Sequence, residues 1–413
     1  MVKQGYHKTD IGTIPDEWSV VKVKDIVTAP LSYGVNAAAV EYDSNLPRYI
    51  RITDITDDGR YDYSNKVSIN IEGSDRYTLA VGDVLFARTG ASTGKTYLYT
   101  ESDGKLIYAG FLIRASIDTN KYDPYYVFLQ FHTPRYYDWV SVMSTRSGQP
   151  GINGKEYGSF ELPIPPLDEQ KAIATAVADL DALILNQEKL IAKKKAIKQG
   201  AMQELLTGKR RLPGFDKKWV VVRLSDCCTV LRGGSPRPIQ AYLTSSPQGA
   251  NWIKIGDVRE GDKYITSTAE RIIEAGISRS REVFVGDFIL SNSMSFGRPY
   301  ILKINGCIHD GWLVIQNYQD AFDQQYLYYV LGSDMVKAQY IAMAAGSSVQ
   351  NLNKEKVGNV MLYKPDIDEQ RSIAAILSDM DEEISEYEKQ LIKYRAIKQG
   401  MMSELLTGRI RLM

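Results

Sequence analysis

The chain has 413 residues, a formal net charge of zero, 44% hydrophobic residues and 24% charged ones. It is too long for one ordinary domain and long enough for two with full cores, and its composition is that of a globular protein. Neutral charge excludes a uniformly basic nucleic-acid binder, no apolar run reaches membrane-spanning length, and scattered histidines with three cysteines (Cys227, Cys228, Cys307) offer neither a disulfide framework nor a metal site.

Residues 1–163 read as a mixed α/β domain. Short β-branched and aromatic runs, such as Tyr49–Ile52, Val84–Ala87 and Thr96–Tyr99, alternate with Gly, Ser, Asn and Asp clusters. Short helices are expected at Pro124–Phe131 and Arg135–Val140. One loop imitates a phosphate-binding motif: Thr89-Gly-Ala-Ser-Thr-Gly94-Lys95-Thr96 has its first glycine misplaced, and a strand is expected where a helix must follow. ATP binding is therefore rejected. A nucleotide hydrolase built on Lys95 stays as a distant rival.

Residues 164–212 form the next segment. Pro163, Pro165 and Pro166 stop the first domain, and a helix is predicted with Asp168 as its N-cap and Glu169 in its first turn, running to Thr207 with Gly208 as its C-terminal cap. Val177, Leu180, Ile184 and Ile191 make a heptad-like seam, and Ile173, Leu183, Leu190 and Ile197 a second stripe. Residues 213–363 read as a second mixed domain, with strands at Trp252–Ile255 and Phe288–Leu290 and helices at Gln325–Gly332 and Met335–Ala342. Residues 364–413 form a second long helix, opened by Asp368 and carrying the seam Leu377, Met380, Ile384, Tyr387, Leu391 and Tyr394. A rod this long overhangs a small domain, so the two rods are expected to pair as an antiparallel coiled coil. The apolar surplus at Met202, Leu205, Leu206, Met402, Leu405 and Leu406 is expected to receive another protein. Gly200 and Gly400 interrupt the helices at a cost of about 1 kcal/mol each relative to alanine.

The chain is an internal repeat. Residues 168–212 and 368–412 align without a gap at offset 200, with 24 of 45 positions identical. Trp18–Asp25 matches Trp219–Asp226, Ile50–Ile55 matches Ile253–Val258, and Val81–Phe86 matches Val285–Leu290. The loops between these anchors diverge. Two copies of one unit predict a pseudo-twofold architecture. Asp54, Asp257, Asp83 and Asp287 recur beside strands and read as turn caps rather than catalysts. No catalytic constellation is recognisable, and no Asn/Asp/Ser-Pro-Pro-Tyr/Phe tetrapeptide marks an adenine methyltransferase. The segment charges are −3 (1–167), +3 (168–212), +2 (213–367) and −2 (368–413), so any nucleic-acid contact must be local.

Pro165-Pro-Leu-Asp-Glu169-Gln170, Lys198-Gln-Gly-Ala-Met202 and Glu204-Leu-Leu-Thr-Gly208 are echoed by Asp368-Glu-Gln370, Lys398-Gln-Gly-Met-Met402 and Glu404-Leu-Leu-Thr-Gly408. Ile11–Pro15 through Trp18, and Leu212–Phe215 through Trp219, open the two domains. In order and duplication this resembles the specificity subunit of type I restriction–modification systems, over essentially the whole chain. The second helix lacks the double proline.

The resemblance implies an α+β protein with two target recognition domains in tandem, each reading one half of a split DNA target, and long helices as spacers. Two modification subunits would bring S-adenosylmethionine and adenine methylation, and a restriction subunit ATP-driven cleavage. The chain itself would hold no cofactor or metal, catalyse nothing, and work in the cytoplasm. Base contacts are expected from three polar loops per domain: Tyr33, Asn36, Arg88, Thr89, Ser92, Thr93, Lys95, Arg146, Ser147 and Gln149 in the first, and Arg232, Ser235, Arg237, Asn292, Ser293, Ser295, Arg298, Ser348, Gln350 and Asn351 in the second. The main rival is a coiled-coil scaffold that binds proteins and no DNA.

Overall fold

The computed structural model describes residues 4–145, 151–259, 261–292, 297–344 and 352–412. It divides into two compact units: Met1–Gln187 with Gln390–Met413, and Glu188–Lys389. Each unit thus joins one mixed domain to the first part of the long helix that follows it and to the last part of the other long helix. These units cut across the consecutive segments read from the sequence.

In the first unit, strands Ser32–Tyr33, Leu112–Ser116, Asp83–Ala87 and Thr96–Leu98 lie side by side in one antiparallel sheet. The central pair is wholly apolar inside, with Val84, Leu85, Phe86, Leu112 and Ile113 inaccessible to solvent. A second sheet orders Leu106–Tyr108, Arg48–Ile50, Val67–Ser68 and Val40–Glu41. Helices Pro124–Gln130 and Pro134–Ser144 start on Asp123 and Thr133, whose side chains accept from backbone N–H groups, each with proline at the first helical position. The second unit repeats the plan. Thr229–Arg232, Trp312–Gln316, Phe288–Ser291, Pro299–Leu302 and Tyr264–Ile265 form one sheet, and helices Gln324–Leu331 and Asp334–Ala344 follow. The short helices Gly154–Ser159, Glu274–Ile277 and Lys354–Gly358 escaped the sequence reading; the first and last are capped by an asparagine, Asn153 and Asn353.

The four repeated aspartates are turn caps. The Asp54, Asp83, Asp257 and Asp287 carboxylates accept from the backbone N–H three residues earlier, at Arg51, Ala80, Lys254 and Phe284, at 2.7–2.9 Å.

Both long helices span 39 residues, Leu167–Leu205 and Ile367–Leu405, or about 58 Å at 1.5 Å per residue. Their starts correct the expected caps. Gln170 N donates to Pro166 O, and the Asp366 carboxylate accepts from Asp368 N and Glu369 N, so Pro166 and Asp366 stand before the helices. Asp168 and Asp368 fall inside the first turn, where negative charge suits the helix dipole. The helices end two residues before Thr207 and Thr407, and Gly208 and Gly408 adopt the left-handed conformation (φ 71° and 70°) that closes such ends.

The repeated signature residues are structural. In the first unit, buried Glu169 accepts from Trp18 Nε1 (3.0 Å) and from Arg411 Nε and Nη2 (2.6 and 2.8 Å). In the second, Glu369 accepts from Trp219 Nε1 (2.8 Å) and from Arg211 Nε and Nη2 (2.7 and 2.8 Å). Gln170 and Gln370 each accept from the backbone N–H of the aspartate that caps an earlier helix of the same domain, Asp123 for Pro124–Gln130 and Asp323 for Gln324–Leu331, while donating to Pro165 O and Pro365 O. The Glu-Gln pair that opens one helix is therefore where the other helix's closing arginine is received. A buried carboxylate needs such a forked, charge-assisted partner to offset its lost hydration.

The same docking overturns the expected partner surface. Met202, Leu205 and Leu206 lie in the second unit's core with Phe288, Leu313 and Tyr326. Leu405 and Leu406 lie in the first unit's core with Phe86 and Tyr126, and half-buried Met402 packs on it. Apolar helix ends inserted into a domain leave no surplus surface there. Within the second unit, Lys194 and Lys195 pair with Glu383 and Glu388 at 2.5 and 2.7 Å, and Lys198 pairs with Asp381. Within the first, Lys398 pairs with Asp181 at 2.6 Å. Val177, Ile184, Ile191, Leu377 and Ile384 of the expected seams are buried, whereas Leu183 and Ile197 of the second stripe are exposed.

Candidate nucleic-acid interface

Strand ends bring some of the polar candidates of each unit together. In the first unit, Tyr33 ends an edge strand and its ring lies 4.8 Å from the Arg88 guanidinium, while its hydroxyl accepts from Gly154 N. Arg88 and Thr89 follow strand Asp83–Ala87, and Arg88 O accepts from Ile152 N. Asn36 packs on Gly110 so closely that a Cβ there would lie 1.8 Å from its Oδ1. Thr93 donates its hydroxyl to Gly90 O, which closes the tight Gly90–Ser92 turn. Lys95 reaches Asp57 (2.7 Å) and Ile55 O (3.3 Å), and strand Thr96–Leu98 follows it. A strand follows this loop where the rejected phosphate-binding motif would require a helix. Arg146, Ser147 and Gln149 lie outside the described residues.

Sequence reasoning missed the neighbouring cleft. It encloses about 640 Å³ between Asn36, Tyr49, Arg51, Thr53 and exposed Phe111. Arg51 is held in it by a forked pair with Asp54 (2.9 and 2.7 Å), which raises the guanidinium pKa through that hydrogen bond. Further along, Arg48 and Lys66 lie over the rings of exposed Tyr42 and Tyr63 at 5.3–6.0 Å. Cations interleaved with aromatics suit stacked bases and phosphates. The residues are far apart in sequence, so no motif announces them.

In the second unit, Arg232, Ser235, Arg237 and Asn292 converge on one residue that the sequence reading passed over, Asp310. Arg298 lies elsewhere, with its guanidinium 5.8 Å from the Tyr300 ring. Ser293, Ser295, Ser348, Gln350 and Asn351 lie outside the described residues. Among the described residues no cluster of histidine, cysteine and carboxylate could hold a metal ion, and the three cysteines are unpaired.

A model of the type I restriction modification DNA specificity domain matches residues 15–196 and again 216–394. The chain belongs to this family. As two specificity domains in tandem, it is a DNA-recognition subunit of a type I restriction–modification system and not the catalytic one. It is 26% identical to the putative type I restriction enzyme MjaX specificity subunit of Methanocaldococcus jannaschii, over 99% of this chain and 97% of that one. It is 23% identical to the MjaVIII specificity subunit of the same organism, over 96% and 94%. Its fold matches a chain from a structural study of complex assembly and conformational transition of the type I system (TM-score 0.60, 18% identity, 96% and 99% covered). It also matches a type I system S subunit from M. genitalium (TM-score 0.59, 14% identity, 94% and 96% covered).

Proposed function

We propose that each unit reads one half of a bipartite, asymmetric DNA target, and that the paired long helices set the unread gap between the halves. The observation that carries this reading is the doubled framework with diverged strand-end loops: the turn caps and the Trp–Glu–Arg contact recur, while the strand ends carry different residues, Tyr33, Asn36 and Arg88 in the first unit and Arg232, Arg237 and Asp310 in the second. Two readers of one duplex work best about one helical turn apart, ~34 Å, on one face. The helices pair as an antiparallel coiled coil, which the ion pairs of Lys194, Lys198 and Lys398 with the opposite helix support.

Two modification subunits dock on the helices, one on each copy of Ala-Ile-Lys-Gln-Gly at 196–200 and 396–400. Ile197 and Ile397 are exposed there, and a Cβ at Gly200 or Gly400 would meet nothing within 4 Å. These glycines lie inside the helices and are not crowded by this chain, which supports a close partner there. S-adenosylmethionine belongs to those subunits, and ATP to the restriction subunit. The complex works in the cytoplasm, where its DNA is; no helix of the described residues is long and apolar enough to cross a membrane. The test is the adenine-methylation pattern that this chain confers on its methyltransferase subunit, compared with the pattern when the chain is omitted. The scaffold reading requires the two patterns to be the same.

A further inference from the structure

Loop 309–311 of the second unit joins strands Gly306–Ile308 and Trp312–Gln316. Three strand ends meet beside it, because Arg232 pairs with Leu313 and Ser291 pairs with Trp312. The turn after Arg232 is pressed onto the loop: Gly233 N donates to Trp312 O, Gly234 N donates to Ile308 O, and a Cβ at Gly233 would lie 2.0 Å from His309 O. Ser235 Oγ donates to Asp310 Oδ1 (2.8 Å) and accepts from Asp310 N (3.2 Å). Arg237 Nη2 lies 3.2 Å from Asp310 Oδ2. Arg232 Nε and Asn292 Nδ2 both donate to Asp310 O, at 3.2 and 3.1 Å.

The Arg237 side chain is 81% exposed and that of Asp310 41%, so this network faces outward and does not brace a core. The Ser235 hydroxyl holds the Asp310 carboxyl below the usual range, so it stays ionised and accepts only. A carboxylate on a surface that meets phosphates is repelled by them. Its place there is explained if it accepts from a base. The first unit has the same two strands with the same loop length, but Gly110 stands where Asp310 does and Asn36 fills the space. The hub differs between units while the strands around it are kept.

We propose that Asp310 and Arg237 together determine one G·C pair of the second unit's half-site. Arg237 donates to the guanine edge and Asp310 accepts from the cytosine amino group, the pairings these side chains make in a major groove. This rests on the chain acting as a specificity subunit. The test uses the full chain in complex with its methyltransferase, and maps adenine methylation for the wild type, Asp310→Asn and Arg237→Ala. Both variants are expected to lose discrimination at the same G·C position, by ~10- to 100-fold, with the other half-site and the gap unchanged. An unchanged motif overturns the proposal, as does relaxation at two different positions. Uniformly weaker methylation of the same motif also overturns it, because that is what a loop brace would give. Arg237→Ala removes an exposed side chain, so it decides the matter if Asp310→Asn does not fold. A wild-type complex with no bipartite motif would sink the underlying reading instead.

Discussion

His132 shows how a single residue ties the first unit to pH. Its ring sits 4.5 Å from Phe128, with Nε2 3.1 Å from Thr96 Oγ1. Burial, helped by the positive charge of Lys398, pushes its pKa from 6.5 down to about 4. The unfolded chain therefore takes up this proton at higher pH than the folded one, and stability falls as pH drops from about 6.5 toward 4. In chemical denaturation across that window, the wild type should lose more stability than His132→Gln; parallel losses would contradict the assignment. At this scale much was legible and some was not. Asp54, Asp83, Asp257 and Asp287 were readable because an aspartate at a turn beside a strand, repeated at the same place, has one common use. Asp310 was not, because its four partners are brought to it by strand pairing across up to 78 residues, and nothing local marks it.

The elements were legible where periodicity runs long. A helix of 39 residues writes its seam many times over, so its existence was plain and its caps were displaced by only a residue or two. The short helices at Asn153 and Asn353 have too few turns to show a period. The ends of the long helices misled the reading for another reason. Sequence shows that Met202, Leu205 and Leu206 are apolar, but not that another segment's domain receives them. The glycine within each helix marks the face that remains free. Gly200→Ala should stabilise the isolated chain by about 1 kcal/mol, because alanine is the better helix former and has room there. It should also weaken retention of the methyltransferase in co-purification. A stabilised chain that retains its partner fully would remove the glycine from the docking surface.

At the scale of the whole molecule, the two-copy plan came directly from the repeat, and the way the copies interlock did not. Glu169 with Arg411 and Glu369 with Arg211 anchor both ends of both helices, so the proposed ruler can be lengthened only by changing the helices together. One heptad added after Asn186, matched by one after Gln390, adds about 10 Å of helix. The unread gap should grow by about three base pairs at 3.4 Å each, with both half-sites unchanged. An unmatched insertion should instead break the pairing and cost stability.

Co-expressing this chain with its methyltransferase in a host lacking the modification, and sequencing the methylated genome, decides whether the two units read a split target. Two different half-sites separated by a fixed gap, absent when the chain is omitted, are the predicted result. A soluble, intact complex that methylates nothing, or methylates without a split motif, would mean that the two units do not read the two halves of one target.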